Sequence, residues 1–336
     1  MPQPICSIVI PTYNGKHLLK TCLLSIGRHW PQSATLEIII VDDASTDGTE
    51  EWLKAANLNV RSIRLNQNSG FCAAANAGII AARGRVIQLL NNDTEVEEGW
   101  IDAGLAPFLD PTVGSVAPLV LVRSMPDRVD SAGDQYALVG WPSKRGHGQP
   151  TERWANRPPD RIFGASGSSA FYRATALRQV GGFDPSFGSY YEDIDLAFRL
   201  RWAGYECVFA PRCRILHDLS ATYDHADPKL QERMSRNAEV LFWSNLPARW
   251  LLLAVLPHSM FTLAQATYRF LRGRHRPFLR GKLAAARQWS AIGPKRRLRA
   301  DLARTAVDRP RFPIRVGVWE DLVNHLRRPA ETRRSV

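Results

Sequence analysis

The chain of 336 residues has only five cysteines, Cys6, Cys22, Cys72, Cys207 and Cys213, scattered and with no Cys-x-x-Cys pair. An odd, dispersed set gives no disulfide framework and predicts reduced, mostly buried thiols. No Gly-x-Gly-x-x-Gly turn follows the first strand-like run; Pro11-Thr12-Tyr13-Asn14 stands there instead, which excludes the dinucleotide fingerprint of an oxidoreductase. A sugar-1-phosphate nucleotidyltransferase would need a Gly-rich loop with a basic residue at the same place, and residues 5–20 offer only Gly15 and Lys16. No basic n-region or cleavage site precedes the apolar pattern that begins at Ile5, so a cytoplasmic location is expected. Internal repeats are also missing.

Acidic residues are scarce only towards the C-terminus. Residues 245–336 hold 20 Lys and Arg against 5 Asp and Glu, leaving 24 against 27, or −3, for residues 1–244 of a chain whose net charge is +12. The basicity is thus local. It lies beside apolar, Trp-containing segments, a combination that suits an anionic membrane surface and makes nucleic acid the weaker candidate partner. Trp250 to Tyr268 contains no Asp, Glu, Lys or Arg, but Pro257, His258, Ser259 and Gln265 interrupt it. Helices lying at a membrane interface are therefore the favoured reading, with ordinary packing helices and a true span as alternatives.

What remains is a chain with 45% hydrophobic and 23% charged residues, able to bury one large α/β domain with an appendage. Residues 5–10 and 36–41 are short β-branched runs, and between them Leu18, Leu19, Cys22, Leu23 and Ile26 recur at helical spacing. The pattern reads β-α-β. A helix after Asp47-Gly48-Thr49, a strand at 60–65, a helix over 71–82 and a strand at 85–90 continue the alternation, which predicts a mainly parallel sheet with ligands at its carboxyl ends. Residues 123–160, rich in Pro, Gly and charge, are expected to form a long excursion or flap. A helix over 192–203 and a strand at 206–210 close the first region, giving a domain over 1–244 and a basic helical extension over 245–336.

Polar residues directly after the strands carry the chemistry. Asp42-Asp43 follows a β-branched run, where unpaired carboxylates are costly unless they meet donors such as a base N–H or a ribose hydroxyl. Asp47-Gly48 and Asn68-Ser69-Gly70 are explained as readily by turns and helix caps. Ser7-Ile8-Val9-Ile10-Pro11-Thr12-Tyr13-Asn14 together with Val41-Asp42-Asp43-Ala44-Ser45-Thr46-Asp47-Gly48-Thr49 resembles the opening of glycosyltransferase family 2. The likeness continues through Asn66–Gly78, Leu90–Asp93 and Gly181–Gly204, and its flavour is that of the rhamnosyltransferase-like bacterial branch.

The resemblance implies a GT-A nucleotide-diphospho-sugar transferase fold in which Pro11, Tyr13, Asn14 and Asp43 border the nucleoside and Asp42 supports the same pocket. Asn68, Gly70 and Asn76 would lie near the ribose and diphosphate. Asn91-Asn92-Asp93 occupies the place of the family's Asp-x-Asp metal motif, so Asp93 is the expected ligand for Mn²⁺ or Mg²⁺, with His217 completing the site; Asn91 replaces the first acid and removes one formal charge. A divalent cation there would lower the barrier to departure of the nucleoside diphosphate. Within Tyr190-Tyr191-Glu192-Asp193-Ile194-Asp195, Asp193 is the expected base that takes the acceptor hydroxyl's proton, and Glu192 would orient the acceptor. Acids at a helix start, stabilised by the helix dipole, are the alternative for Glu192 and Asp195. The small-residue loop Gly164–Ala170 would approach the transferred sugar, Asp184 reads as a turn residue, and Ser220 would steady the loop after His217. The implied activity is inverting transfer from a UDP- or dTDP-sugar, with dTDP-L-rhamnose favoured, to a glycan or polyprenyl-diphosphate-linked acceptor. The alternative is a non-catalytic nucleotide-sugar or nucleic-acid binder. Location follows as peripheral, on the inner face of the cell membrane.

Overall fold

The order of the first elements in the computed structural model, which describes residues 3–31, 34–56, 58–218 and 227–316, follows the alternation of β-branched runs and helical spacings. β1 (Cys6–Thr12), α1 (Lys16–Arg28), β2 (Leu36–Asp42), α2 (Thr49–Ala55), β3 (Arg61–Arg64), α3 (Phe71–Ala81) and β4 (Val86–Leu89) succeed one another. β1 pairs in parallel with β2 and β4, and β2 with β3. Ile8, Val9, Ile10, Ile39, Ile40 and Val41 are inaccessible to solvent, as unbroken apolar strands must be when helices cover both faces of a parallel sheet. α3 sits so close to β1 that a Cβ on Gly78 would stand 2.2 Å from Cγ1 of Val9.

β5 (Thr94–Val96), α4 (Trp100–Leu105), β6 (Val113–Val122), β7 (Met125–Ser131), β8 (Asp134–Ala137), β9 (Trp141–Lys144), α5 (Glu152–Ala155), β10 (Asp160–Ile162), β11 (Phe171–Arg173), α6 (Ala174–Val180), α7 (Glu192–Trp202) and β12 (Glu206–His217) complete the first region. The main sheet runs β10-β12-β6-β11-β4-β1-β2-β3, with β5 added to β12 and β7 to β6. β12 is parallel to β6, while β11 is antiparallel to β4 and β6. β12 outruns the expected strand by seven residues because a register shift between Ala210 and Arg214 lets it bend and continue to His217. Such irregularities re-aim a strand's end.

The stretch 123–160 is not an open flap. Val129, Ala132, Tyr136 and Ala137 are buried, and β8 and β9 pair antiparallel as a hairpin at the back of the pocket described below. Its glycines make turns: Gly133, Gly140, Gly146 and Gly148 all have positive φ. Strands of four residues between such turns are too short for a readable period.

The C-terminal helices are α8 (Pro228–Asn245), α9 (Ala248–Leu271), α10 (His275–Arg287) and α11 (Ile292–Arg304). One apolar cluster joins Tyr136, Phe163 and Phe198 to Phe242, Leu246, Ala254, Ala285 and Ile292, so the two regions share a core across residue 244. The polar link is Asp195 of α7, fully buried, which accepts hydrogen bonds from Arg199 at 2.7 Å, Arg299 of α11 at 2.6 Å and Asn245 at 3.0 Å. Burial would raise its carboxyl, but Arg299 and Arg199 hold it well below the usual carboxylate range. α9 meets the rest of the protein along one side only. His258 stacks on Phe242 with ring centroids 3.7 Å apart and contacts Glu239, and Phe261 meets Trp141 edge-on; Leu252, Leu253, Leu256, Met260, Leu263 and Phe270 are exposed. By length and composition α9 is apolar enough to cross a membrane. All five cysteines are buried and free.

Removing one member of a buried ion pair strands the other. Asp195→Ala is therefore expected to cost about 3–5 kcal/mol of stability, read as a lowered Tm by calorimetry at pH 7. Because the folded-state pKa is depressed, the wild-type contribution is complete above the ordinary Asp pKa and is lost as pH falls through the acid range. The wild-type and variant curves should begin to approach each other below about pH 4 and meet only once pH falls below the depressed folded-state pKa.

Candidate functional site

A cavity of about 590 Å³ opens at the carboxyl ends of β1, β2 and β4, where a parallel sheet presents its ligands. Pro11, Tyr13, Asn14, Asp43, Asn68, Gly70, Asn91, Asn92, Asp93, Glu192, Asp193 and His217 all line it. Segments more than a hundred residues apart in sequence thus converge on one space.

On the β1–β2 side, Asn14 adopts φ 49 and its Oδ1 accepts the Thr46 N–H at 2.7 Å, tying the two strand ends together. Asp43 accepts the backbone N–H groups of Ser69 and Gly70 at 2.7 and 2.8 Å, which fixes the Asn68–Gly70 turn against the pocket. Two expected members lie elsewhere. Asp42 is spent behind the wall, accepting Ser45 N–H at 2.9 Å and pairing with Arg64. Asn76 uses both ends of its amide on Phe183, at 2.7 Å each, and so braces the Gly181–Phe183 turn rather than facing a ligand. An Asn inside a helical run of small residues carries no mark that separates these two duties.

At the end of β4, Asn92 donates to Thr12 Oγ1 at 2.8 Å, whereas Asp93 is buried with Oδ1 lacking any hydrogen-bond partner. His217 Nε2 stands 3.4 Å from that oxygen without hydrogen-bond geometry, and its Nδ1 lies 2.9 Å from Oδ2 of Asp130. A carboxylate behind a histidine fixes the ring and leaves the far nitrogen facing the site. Burial pulls the His217 pKa down, but Asp130 and then Asp93 more than reverse this, to about 9. A divalent cation would displace the His217 Nε2 proton and take that nitrogen and Asp93 Oδ1 as ligands, drawing its remaining ligands from a diphosphate. Among the described residues no cluster of three or more His, Cys, Asp or Glu could hold a metal without such help. Ser220 lies outside the described residues.

The opposite wall is the start of α7. Tyr190 and Tyr191 have φ values of 68 and 71, sparsely populated for non-glycine residues and maintained only where the surroundings insist. Asn237 of α8 insists here, donating to the carbonyls of Phe187, Ser189 and Tyr190 at 3.0, 3.2 and 2.7 Å. The strained pair turns the chain so that Glu192 and Asp193 enter the pocket together. Asp193 accepts Gly167 N–H at 2.9 Å from the small-residue loop and Ile194 N–H at 2.8 Å; Glu192 is buried with Oε2 unpartnered. Burial raises both carboxyls, that of Glu192 well above the usual range, with Asp193 adding to it. Asp195 points away into the α11 network, and Asp184 caps Ser186 and pairs with Lys295.

Four site residues come from the 123–160 stretch and were not singled out by sequence reasoning. Asp130 is buried and bonded to Lys144 at 2.8 Å and to His217; burial would raise its carboxyl, but Lys144, His147 and His217 hold it well below the ordinary range. Asp134, in the cavity wall, has Oδ2 unpartnered and is pushed well above the usual range by burial and by Asp193. Lys144 lines the cavity, and His147 Nδ1 approaches the Asp130 carbonyl at 2.8 Å. The one available signal was Asp130 and Asp134 flanking Ser131-Ala132-Gly133, small residues that allow close approach. The cavity wall therefore holds Asp93 and His217 as one pair and Asp134, Glu192 and Asp193 as a cluster of buried acids. Burial raises all three carboxyls, and like charge from Asp193 raises Asp134 and Glu192 further.

The sequence profile described as glycosyl transferase family 2 matches residues 7–181, and that of glycosyl transferase family group 2 matches 151–271. N-acetylglucosaminyl-diphospho-decaprenol L-rhamnosyltransferase of Mycobacterium tuberculosis is 28% identical over 314 residues, covering 83% of this chain and 99% of that protein. The pre-mycofactocin glycosyltransferase of the same organism is 30% identical over 214 residues, 63% of this chain and 42% of that one. Among solved structures, a mannosyltransferase from Pyrobaculum calidifontis in complex with GDP-Man and Mn²⁺ aligns with a TM-score of 0.54 and 17% identity over 91% of this chain and 87% of its own. GalNAc-T7 with UDP, GalNAc and Mn²⁺ aligns with a TM-score of 0.56 and 20% identity over 70% and 48%. The fold is GT-A, and the chain belongs to glycosyltransferase family 2.

Proposed function

We propose that the protein is a metal-dependent, inverting glycosyltransferase that moves a sugar, L-rhamnose by preference, from a dTDP- or UDP-carrier to a hydroxyl of a diphosphate-linked glycan lipid. The observation that carries this reading is the placement of Asp93 and Asp193 in the wall of one cavity, the first with an oxygen that accepts no hydrogen bond and the second raised in pKa by burial. The near full-length likeness to an enzyme named for N-acetylglucosaminyl-diphospho-decaprenol supports the substrate class.

Asp93 and His217 would hold Mn²⁺ or Mg²⁺, which when bound supplies charge stabilisation to the departing diphosphate. Tyr13, Asn14 and Asp43 would border the nucleoside. Asp193, held in place by the Gly167 N–H, would accept the proton of the attacking hydroxyl; Glu192, its carboxyl raised by burial and by Asp193, would orient the acceptor. A base with a raised pKa is better matched to a hydroxyl than an ordinary carboxylate is. Transfer at the face opposite the leaving group needs only this one base.

The exposed apolar side of α9, bordered by Arg249, Arg272 and Arg274, would lie in the headgroup region of an anionic membrane on its cytoplasmic side. His258 and Phe261 bind the other side of α9 to the globular part, which favours a helix lying in the interface over one that spans it. Deleting residues 245–336 would be a poor test, because it removes Arg299 from Asp195.

Calorimetric titration with UDP, dTDP and GDP, with and without Mn²⁺, should show metal-dependent binding of one nucleotide, lost in Asp93→Ala; no binding of any of the three would remove the donor assignment. Asp193→Asn is expected to lower kcat by about 10²–10⁴-fold while nucleotide affinity is retained, and loss of both together would argue for a structural role. Leu252→Asp with Leu256→Asp changes only exposed positions and should release the protein from phosphatidylglycerol vesicles in a flotation assay. Undiminished flotation would set α9 aside as the membrane contact.

A further inference from the structure

Arginines buried in the C-terminal half are generally satisfied: Arg299 by Asp195, Arg199 by Asp195 and the carbonyls of Val180 and Gly181, Arg296 by the carbonyls of Trp243 and Leu246. Two partly buried ones beside the cavity are not matched to any carboxylate among the described residues. Arg233 of α8 runs along Gly188 and donates to Ser189 Oγ at 2.6 Å. Arg269 of α9 lies over the Phe278 ring, 5.1 Å from its centroid, close enough to Tyr191 to influence its hydroxyl. Ser189 and Tyr191 line the cavity just before Glu192 and Asp193, so both cations stand behind the wall that carries those acids. The two helices are joined there by α10, whose Phe278 carbonyl accepts the Ser235 hydroxyl of α8. Burial already weakens the protonated state of Arg269, and Glu192, whose charge would otherwise answer Arg233, is itself driven towards neutrality.

From the same place an apolar stripe leads outward. Leu252, Leu256, Met260, Leu263 and Phe270 are exposed at helical spacing along α9, and the stripe ends beside Arg269. A ligand with two adjacent phosphoryl groups between a sugar and a long apolar tail would find, in order, the buried acids of the cavity, two unanswered guanidinium groups and an apolar track. We infer that Arg233 and Arg269 form a diphosphate-binding subsite on the acceptor side of the cavity, at the inner end of the α9 apolar face. A guanidinium pairs with phosphoryl oxygens through two parallel N–H bonds. This rests on the glycosyl-transfer reading and adds the position of the acceptor's linker.

Geranyl diphosphate, titrated into protein already saturated with Mn²⁺ and the nucleotide it binds, tests the subsite apart from the donor site. Wild type should bind it; Arg233→Gln and Arg269→Gln should each weaken that binding at least tenfold while nucleotide affinity, which reports folding, stays unchanged. Geraniol should bind the variants and the wild type alike. Unaltered geranyl diphosphate affinity in both variants overturns the assignment. Equal affinity for inorganic pyrophosphate overturns the acceptor part, because a soluble diphosphate would then suffice. Loss of phosphatidylglycerol vesicle binding in the variants, with geranyl diphosphate binding intact, would give the two cations to lipid headgroups and likewise overturn it. If wild type bound no nucleotide, the glycosyl-transfer reading itself would fall, a result separable from all of these.

Discussion

The buried carboxylate of Asp195 is the constraint on which much of the rest depends. Its partners come from three helices: Arg199 on its own, Asn245 at the end of α8 and Arg299 on α11. Arg199 reaches on to the carbonyls of Val180 and Gly181, so the turn before α7 is fastened by the same group. The first turn of α7 meanwhile presents Glu192 and Asp193 to the cavity. One short helix therefore has its chemistry on one face and its anchorage on the other, and the basic C-terminal region, whose charge would otherwise repel itself, supplies the anchor. Buried charges are tolerated here because each is paired and hydrogen-bonded.

The cavity divides its electrostatic labour by burial. Near Asp93, the carboxyl of Asp130 is held well below the usual range by Lys144, His147 and His217. Beside α7 carboxyls are pushed towards neutrality, since Asp134, Glu192 and Asp193 crowd together with few opposite charges. The transfer proposed above, which would expel a charged diphosphate and collect a proton, would call on environments of both kinds.

Much of this was legible in the sequence because the first half consists of long, strongly patterned elements with turn chemistry after each strand. β1, β2 and α3 lie within a residue or two of where periodicity puts them, and Asn91-Asn92-Asp93 and Glu192-Asp193 do meet. Reading failed where pattern is short. Strands β8 and β9 have four residues each, so Asp134 and Lys144 arrived unannounced, and Asp130 has no neighbour in sequence that betrays its pairing with His217. Asn76 misled for another reason: a side chain that braces a turn and one that faces a ligand are the same letter at the same spacing. For α9, composition alone could not tell a spanning helix from a surface one, since the discriminating contacts, His258 on Glu239 and Phe261 on Trp141, come from partners far away in the chain.

The bend in β12 brings His217 level with Thr94 in the ladder to β5, and the next residue's N–H bonds to the carbonyl of Asp93 at 2.9 Å. Asp93 and His217 thus hang from adjoining rungs of a single ladder. Both are fixed by backbone pairing rather than by side-chain contacts alone, and their separation is set by the register of one strand pair.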